Sequence, residues 1–153
     1  DAPALARANI GVAMGAAGAW TGSVWLTTEE AETAPHTKQK MLAASSRDTV
    51  RSAGRTGKPS RQLRSDWTDA WAPNPGGRKP LPLPLQSMVA EPALRRIDKL
   101  AENGHQGAQA LSTYFVGQGV GLMNKIKPAR EVVLEFIEDY VNAAERLGRS
   151  LDD

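Results

Sequence analysis

Residues 15–23 read GAAGAWTGS, and the reading of that run decides the fold. Gly15, Gly18 and Gly22 surround a short apolar stretch, with Thr21 and Ser23 on either side of the last glycine. Glycine lacks the Cβ that would hold a ligand away from the main chain, so its N–H can meet an anion closely. A helix start just downstream adds a favourable dipole. A strand at Ala17–Trp20 running into such a turn makes half of a phosphate cradle, and the guest it predicts is a phosphorylated cofactor. The competing reading is a tight strand-to-helix turn whose glycines serve packing alone.

On the N-terminal side, Asp1–Ala8 reads as a helix with Pro3 tolerated in its first turn. The span from Ala8 to Thr28 carries no charge and is long enough to cross a bilayer. Four glycines make it a poor helix interior, so no membrane segment is expected. On the C-terminal side, Thr27 and Glu30 fit a capping box, which predicts a helix from about Thr28, interrupted at Pro35 and resumed over Thr37–Ser45. Asp48–Arg55 reads as a short edge strand and Thr56–Pro59 as a turn. Ser60–Trp71 reads as a helix, with Leu63, Trp67 and Trp71 at a spacing of four. The stretch 72–84, APNPGGRKPLPLP, holds five prolines and two glycines and predicts a stiff surface strap. Helices are expected over Leu85–Glu102, with Pro92 as a kink, and over Gln109–Phe115, which enters the loop Gly117–Gln118–Gly119. The last helix opens at Pro128. Its apolar stripe is Val133, Phe136, Ile137, Tyr140, Val141, Ala144 and Leu147, its acids lie opposite, and Gly148 is its expected stop.

The chain has 153 residues, about one domain. A net charge of +2 argues against a dedicated nucleic-acid binder. The charge is uneven: eight Lys or Arg and one acid fall between Thr37 and Arg64, without an aromatic to stack on a base. That run reads as a solvated or anion-facing surface. With no cysteine, disulfides, thiolate metal sites and cysteine nucleophiles are excluded. No metal site is expected, and a reducing cytoplasm fits. No signal peptide is visible. Paired acids such as Glu29/Glu30 and Glu138/Asp139 read as helix-surface charges, and His36 and His105 as exposed histidines.

The segment GAAGAWTGSVWLTTEEA (15–31) resembles the eighth-strand segment of the nitronate monooxygenases, also called 2-nitropropane dioxygenases. The similarity continues in order through HTKQKMLAASSRDTV (36–50), GRTGKPSRQLRSDW (54–67), PLPLPLQ (80–86) and YFVGQGVGL (114–122) into the last helix. The resemblance implies a mainly α chain with a few short strands: the C-terminal portion of an FMN-binding (β/α) barrel plus its helical subdomain. Phosphate sites after the last strands are general to such barrels. By resemblance, residues 1–35 carry the last barrel helix, strand and phosphate-binding turn, and 36–153 form a mainly helical region crossed by the strap at 72–84.

The same resemblance places Trp20, Thr21, Gly22 and Ser23 at the FMN phosphate and Gln118 and Gly119 near the flavin. Trp20 departs from the family's Gln, so only its main-chain role carries over. The family's catalytic base, often a His, comes from an earlier part of the barrel. Neither His36 nor His105 matches it, so the catalytic residue is unidentified. The first 18 residues, DAPALARANIGVAMGAAG, resemble instead a segment of P-type cation ATPases, without that family's phosphorylated Asp motif. The implied activity is FMN-dependent oxidation of alkyl nitronates with O2. An FMN-dependent reductase of enoyl or other CoA esters is the alternative within the same fold. A non-catalytic, truncated helical module that self-associates or binds a partner is the alternative outside it.

Overall fold

The structure is a computed structural model that describes residues 17–18, 20–73 and 77–152. The expected helix at Asp1–Ala8 lies outside the described residues. Seven regular elements follow in order: α1 (Pro35–Ala43), β1 (Thr49–Ser52), β2 (Ser60–Leu63), α2 (Asp66–Ala70), α3 (Leu85–Glu102), α4 (Gln106–Leu111) and α5 (Ala129–Asp152). Single 3₁₀ turns at Ser23–Thr27, Ser46–Asp48 and Gln118–Leu122 join them. The described residues are thus mostly helical, with one two-stranded sheet.

Several expectations are corrected. Ala17, Gly18 and Trp20 are exposed and lie outside any strand; a strand needs a ladder partner, and none of the described residues provides one. The Thr27–Glu30 capping box does not form. The Thr27 hydroxyl donates back to the carbonyl of Val24 at 3.2 Å, and no helix starts at Thr28. Pro35 begins α1 instead of interrupting a helix, the position where its missing N–H costs nothing.

Ser60–Leu63 is strand and not helix. It pairs antiparallel with β1 in the register Thr49↔Leu63 through Ser52↔Ser60. The connecting turn places Gly57 at φ +83°, and a Cβ there would stand 2.3 Å from the Leu81 carbonyl, so a hairpin closes where the spacing of leucine and tryptophans suggested a helix. Only Asp66–Ala70 is helical, started by Ser65, whose side chain accepts from the Thr68 amide. Trp67 and Trp71 pack on each other at 6.1 Å. α4 begins earlier than expected and ends at Leu111. The following residues run beside β2: the Leu63 amide donates to the Tyr114 carbonyl at 3.0 Å and the Val116 amide to the Arg61 carbonyl at 3.2 Å. α3 runs through Pro92, and α5 runs through Gly148 to Asp152.

The core is Met41, Leu63, Val116 and Val120, with Leu26, Tyr114 and Met123 packed around it. It joins α1, β2 and the turn at Gln118–Leu122. Burial of each such side chain contributes about 1.5–3 kcal/mol. Buried Gln86 fastens the strap: its Nε2 donates to the Gly54 carbonyl at 2.8 Å and its Oε1 accepts from the Leu81 amide at 3.0 Å. Arg55 pairs with Glu91 at 2.8 Å and lies over the Phe115 ring at 4.6 Å. Half-buried Lys40 donates to the carbonyls of Gln109 and Ser112. Burial pushes its ammonium pKa down, and nearby Asp66 opposes that shift. No helix among the described residues is long and apolar enough to cross a membrane.

Candidate functional site

Two glycine-bearing loops, distant in sequence, meet at one end of the fold. The Gly117 amide donates to Ser23 Oγ at 2.7 Å across 94 residues of chain. Because that oxygen accepts, the Ser23 hydroxyl proton stays available as a donor. The first loop is braced by Trp25, whose Nε1 donates to the Thr21 carbonyl at 3.1 Å. The Trp25 ring packs against Phe136 of α5 at 6.1 Å. Behind the loop, a parallel bridge joins Thr28 to Lys127. The buried Lys38 amine donates to the Thr28 carbonyl at 2.6 Å, which fixes the exit of the turn.

These loops and the first turns of α5 enclose a cavity of about 380 Å³. All six residues singled out from the sequence line it: Trp20, Thr21, Gly22, Ser23, Gln118 and Gly119. The Trp20 side chain itself is fully exposed, at 101%. The main chain at Gly22 and Gly119 faces open space, since an added Cβ at either would meet nothing within 4 Å. Gly121 differs: a Cβ there would stand 2.6 Å from the Ser46 amide nitrogen, so that glycine serves packing.

Sequence reasoning missed the α5 side of the cavity. Lys125, Lys127, Val132, Glu135 and Phe136 also line it. Glu135, read as a solvent-facing acid, pairs with Lys127, while Lys125 pairs with Glu131 at 3.1 Å. Glu30, read as a surface charge, accepts from the Ala129 amide at 2.8 Å and so caps α5. The clue lay in the two lysines just before Pro128, with acids one and two turns into the helix. Thr113 and Tyr114, just before the second loop, face away from the cavity: the Thr113 hydroxyl donates to the Leu63 carbonyl at 2.6 Å, and Tyr114 packs on the core. Of the two histidines, His105 is exposed as expected and accepts from the Ala108 amide at 3.2 Å to cap α4, whereas His36 is half-buried, with Nε2 3.1 Å from the Ser112 hydroxyl.

The site combines open space over Gly22 and Gly119, the Ser23 hydroxyl, two lysines each paired with a carboxylate, and an apolar wall. Such a surface suits a ligand with an anionic end and an apolar body. Residues 9–139 match the nitronate monooxygenase family. Over 137 residues the chain is 51% identical to Rv1533 of Mycobacterium tuberculosis, provisionally assigned as a monooxygenase; the match covers 89% of this chain and 36% of that protein. A nitroalkane oxidase from Streptomyces ansochromogenes shares the fold with a TM-score of 0.74 at 22% identity, over 94% of this chain and 38% of that one. FabK from Thermotoga maritima does so at 0.63 and 23%, over 93% and 42%.

The chain therefore belongs to the nitronate monooxygenase family, a group of flavin-dependent oxidoreductases. Its fold corresponds to the part of these barrel enzymes that it overlays. It spans about 36% of the length of its curated relative.

Proposed function

We propose that this chain supplies the phosphate-binding end of an FMN site in an enzyme that oxidises alkyl nitronates with O2. The observation that carries the reading is the shared cavity: loops 94 residues apart are tied by the Gly117–Ser23 hydrogen bond, with open space over Gly22 and Gly119. The residues fit the group. Main-chain amides at Gly22 and Ser23 and the Ser23 hydroxyl would hold the phosphate. Val132 and Phe136 would cover the apolar body and exclude water. Bound there, FMN would supply the electron-accepting ring, and this chain's share is to hold it and fix its orientation. The family's catalytic base would come from outside this segment.

The test is calorimetric titration of FMN into this chain and into a chimera joining it to the remaining barrel portion of Rv1533. Saturable uptake is expected in the chimera. Gly22→Val should abolish it while leaving far-UV circular dichroism unchanged, because a branched side chain would fill the open approach. A folded chimera that takes up no FMN overturns the reading.

A further inference from the structure

Apart from Lys38, which braces the first glycine loop, the basic run between Thr37 and Arg64 plays no part in the flavin reading, and the structure divides it. Lys38 and Lys40 turn inward to carbonyl oxygens. Arg55 is held by Glu91 and Phe115, and Arg61 donates to the Thr49 hydroxyl at 3.0 Å. Of the other four, Arg51 and Arg64 line a second concavity, a groove of about 790 Å³ between the β1 edge, α2 and the strap. The strap brings two more cations to the same groove, Arg78 and Lys79. Among the described residues the groove's one acid is Asp69, already paired with Arg64 at 3.1 Å. Arg51, Arg78 and Lys79 have no ion pair among the described residues. The ladder partner of Arg51 is Arg61, a like charge, which is an unfavourable cross-strand pair.

Four cations from three chain segments thus face one groove with a single carboxylate. Their mutual repulsion is relieved by a polyanion, and a concave, low-dielectric wall focuses their field on it. The groove also exposes part of Trp71, whose ring is seated on Gly54: a Cβ there would stand 2.5 Å from the indole. A rigid aromatic beside clustered arginines suits a ligand with both phosphates and a planar ring. We infer that this groove binds the diphosphate-bearing part of an adenine nucleotide, either as a free nucleotide or as the handle of coenzyme A. The site is separate from the flavin cavity and does not depend on the flavin reading.

The test is titration of the chain with ADP, coenzyme A and inorganic pyrophosphate, followed by calorimetry and tryptophan fluorescence. Saturable ADP binding is expected, with quenching of the indole emission. Replacing both strap cations (Arg78→Ser with Lys79→Ser) should weaken it about 10-fold or more, and raising salt should weaken it several-fold. Both positions are exposed, so circular dichroism should not change, and neither should FMN uptake by the chimera. Conversely, Gly22→Val should leave ADP binding intact, which separates failure of this site from failure of the flavin site. Coenzyme A binding tighter than ADP identifies the carrier handle; weaker binding identifies the free nucleotide. Absence of ADP binding, indifference to the strap variant, or pyrophosphate binding as tight as ADP overturns the proposal.

Discussion

The hairpin end of the molecule closes on itself, whereas α5 does not. Around β1 and β2, Met41, Leu63 and Val120 are at most 1% exposed, and Gln86 and Arg55 find their partners within the same region. Along α5, Val133, Ile137, Tyr140 and Val141 are 46%, 54%, 53% and 47% exposed, although they form a regular apolar stripe. Amphipathic patterning sets which face would be buried, but burial needs a partner surface. The relatives are more than twice as long, and the stripe is the surface we expect the remaining barrel to cover.

The largest expected effect breaks this contrast if it fails. Leu63→Ala removes a fully enclosed side chain and should cost about 2–5 kcal/mol, whereas Ile137→Ala should cost less than about 1 kcal/mol in the chain by itself. Urea unfolding of both variants measures the difference. Repeating it in the chimera with Rv1533 sharpens it: the Ile137→Ala cost should rise toward the core value once the barrel covers the stripe. Equal costs in the isolated chain would mean that α5 is already packed.

The glycines give a second, smaller contrast. Gly121→Ala drives a Cβ to 2.6 Å from the Ser46 nitrogen, main chain that cannot swing aside, and should cost about 1–3 kcal/mol. Gly22→Ala meets nothing within 4 Å and should leave the thermal midpoint unchanged. A Gly121→Ala protein as stable as the parent would show that the Gln118–Leu122 turn is not held against Ser46.

How much of this was legible follows the range of the forces involved. α5 is legible from local periodicity, α3 as a helical stretch, and the two glycine loops from composition and resemblance. The hairpin was missed because its evidence is not local. Ser60–Leu63 becomes a strand through pairing with β1 and with residues 114–116, and nothing within those four residues announces it. The expected strand at Ala17–Trp20 failed for the matching reason, since its partners are not among the described residues. Glu30 illustrates the same limit at one atom: a carboxylate that reads as the start of a nearby helix caps another 99 residues away. The meeting of Ser23 with Gly117 could be expected only from the family, because no spacing rule connects them.

The smallest expected effect probes the closed end by pH. Asp48 Oδ2 accepts from the Ser45 hydroxyl at 2.7 Å and from the Ser45 amide at 2.8 Å, which braces the Ser46–Asp48 turn at the entry to β1. The Ser45 hydroxyl, then its amide, with a smaller contribution from Arg64, holds this carboxyl below the ordinary aspartate value. A folded-state pKa below the unfolded one means that the native state keeps the carboxylate ionised where the unfolded chain takes up a proton. The stabilisation is therefore complete above the usual 3.8 and is lost as pH falls through the depressed value. Asp48→Asn keeps one acceptor oxygen but removes the titration. Its thermal midpoint should lie slightly below the parent's at neutral pH, and the gap should narrow as the pH falls below 3.8. A gap that stays constant across that range would mean that the carboxylate's charge contributes nothing to the turn, and that the closed end is held by its buried side chains and main-chain bonds alone.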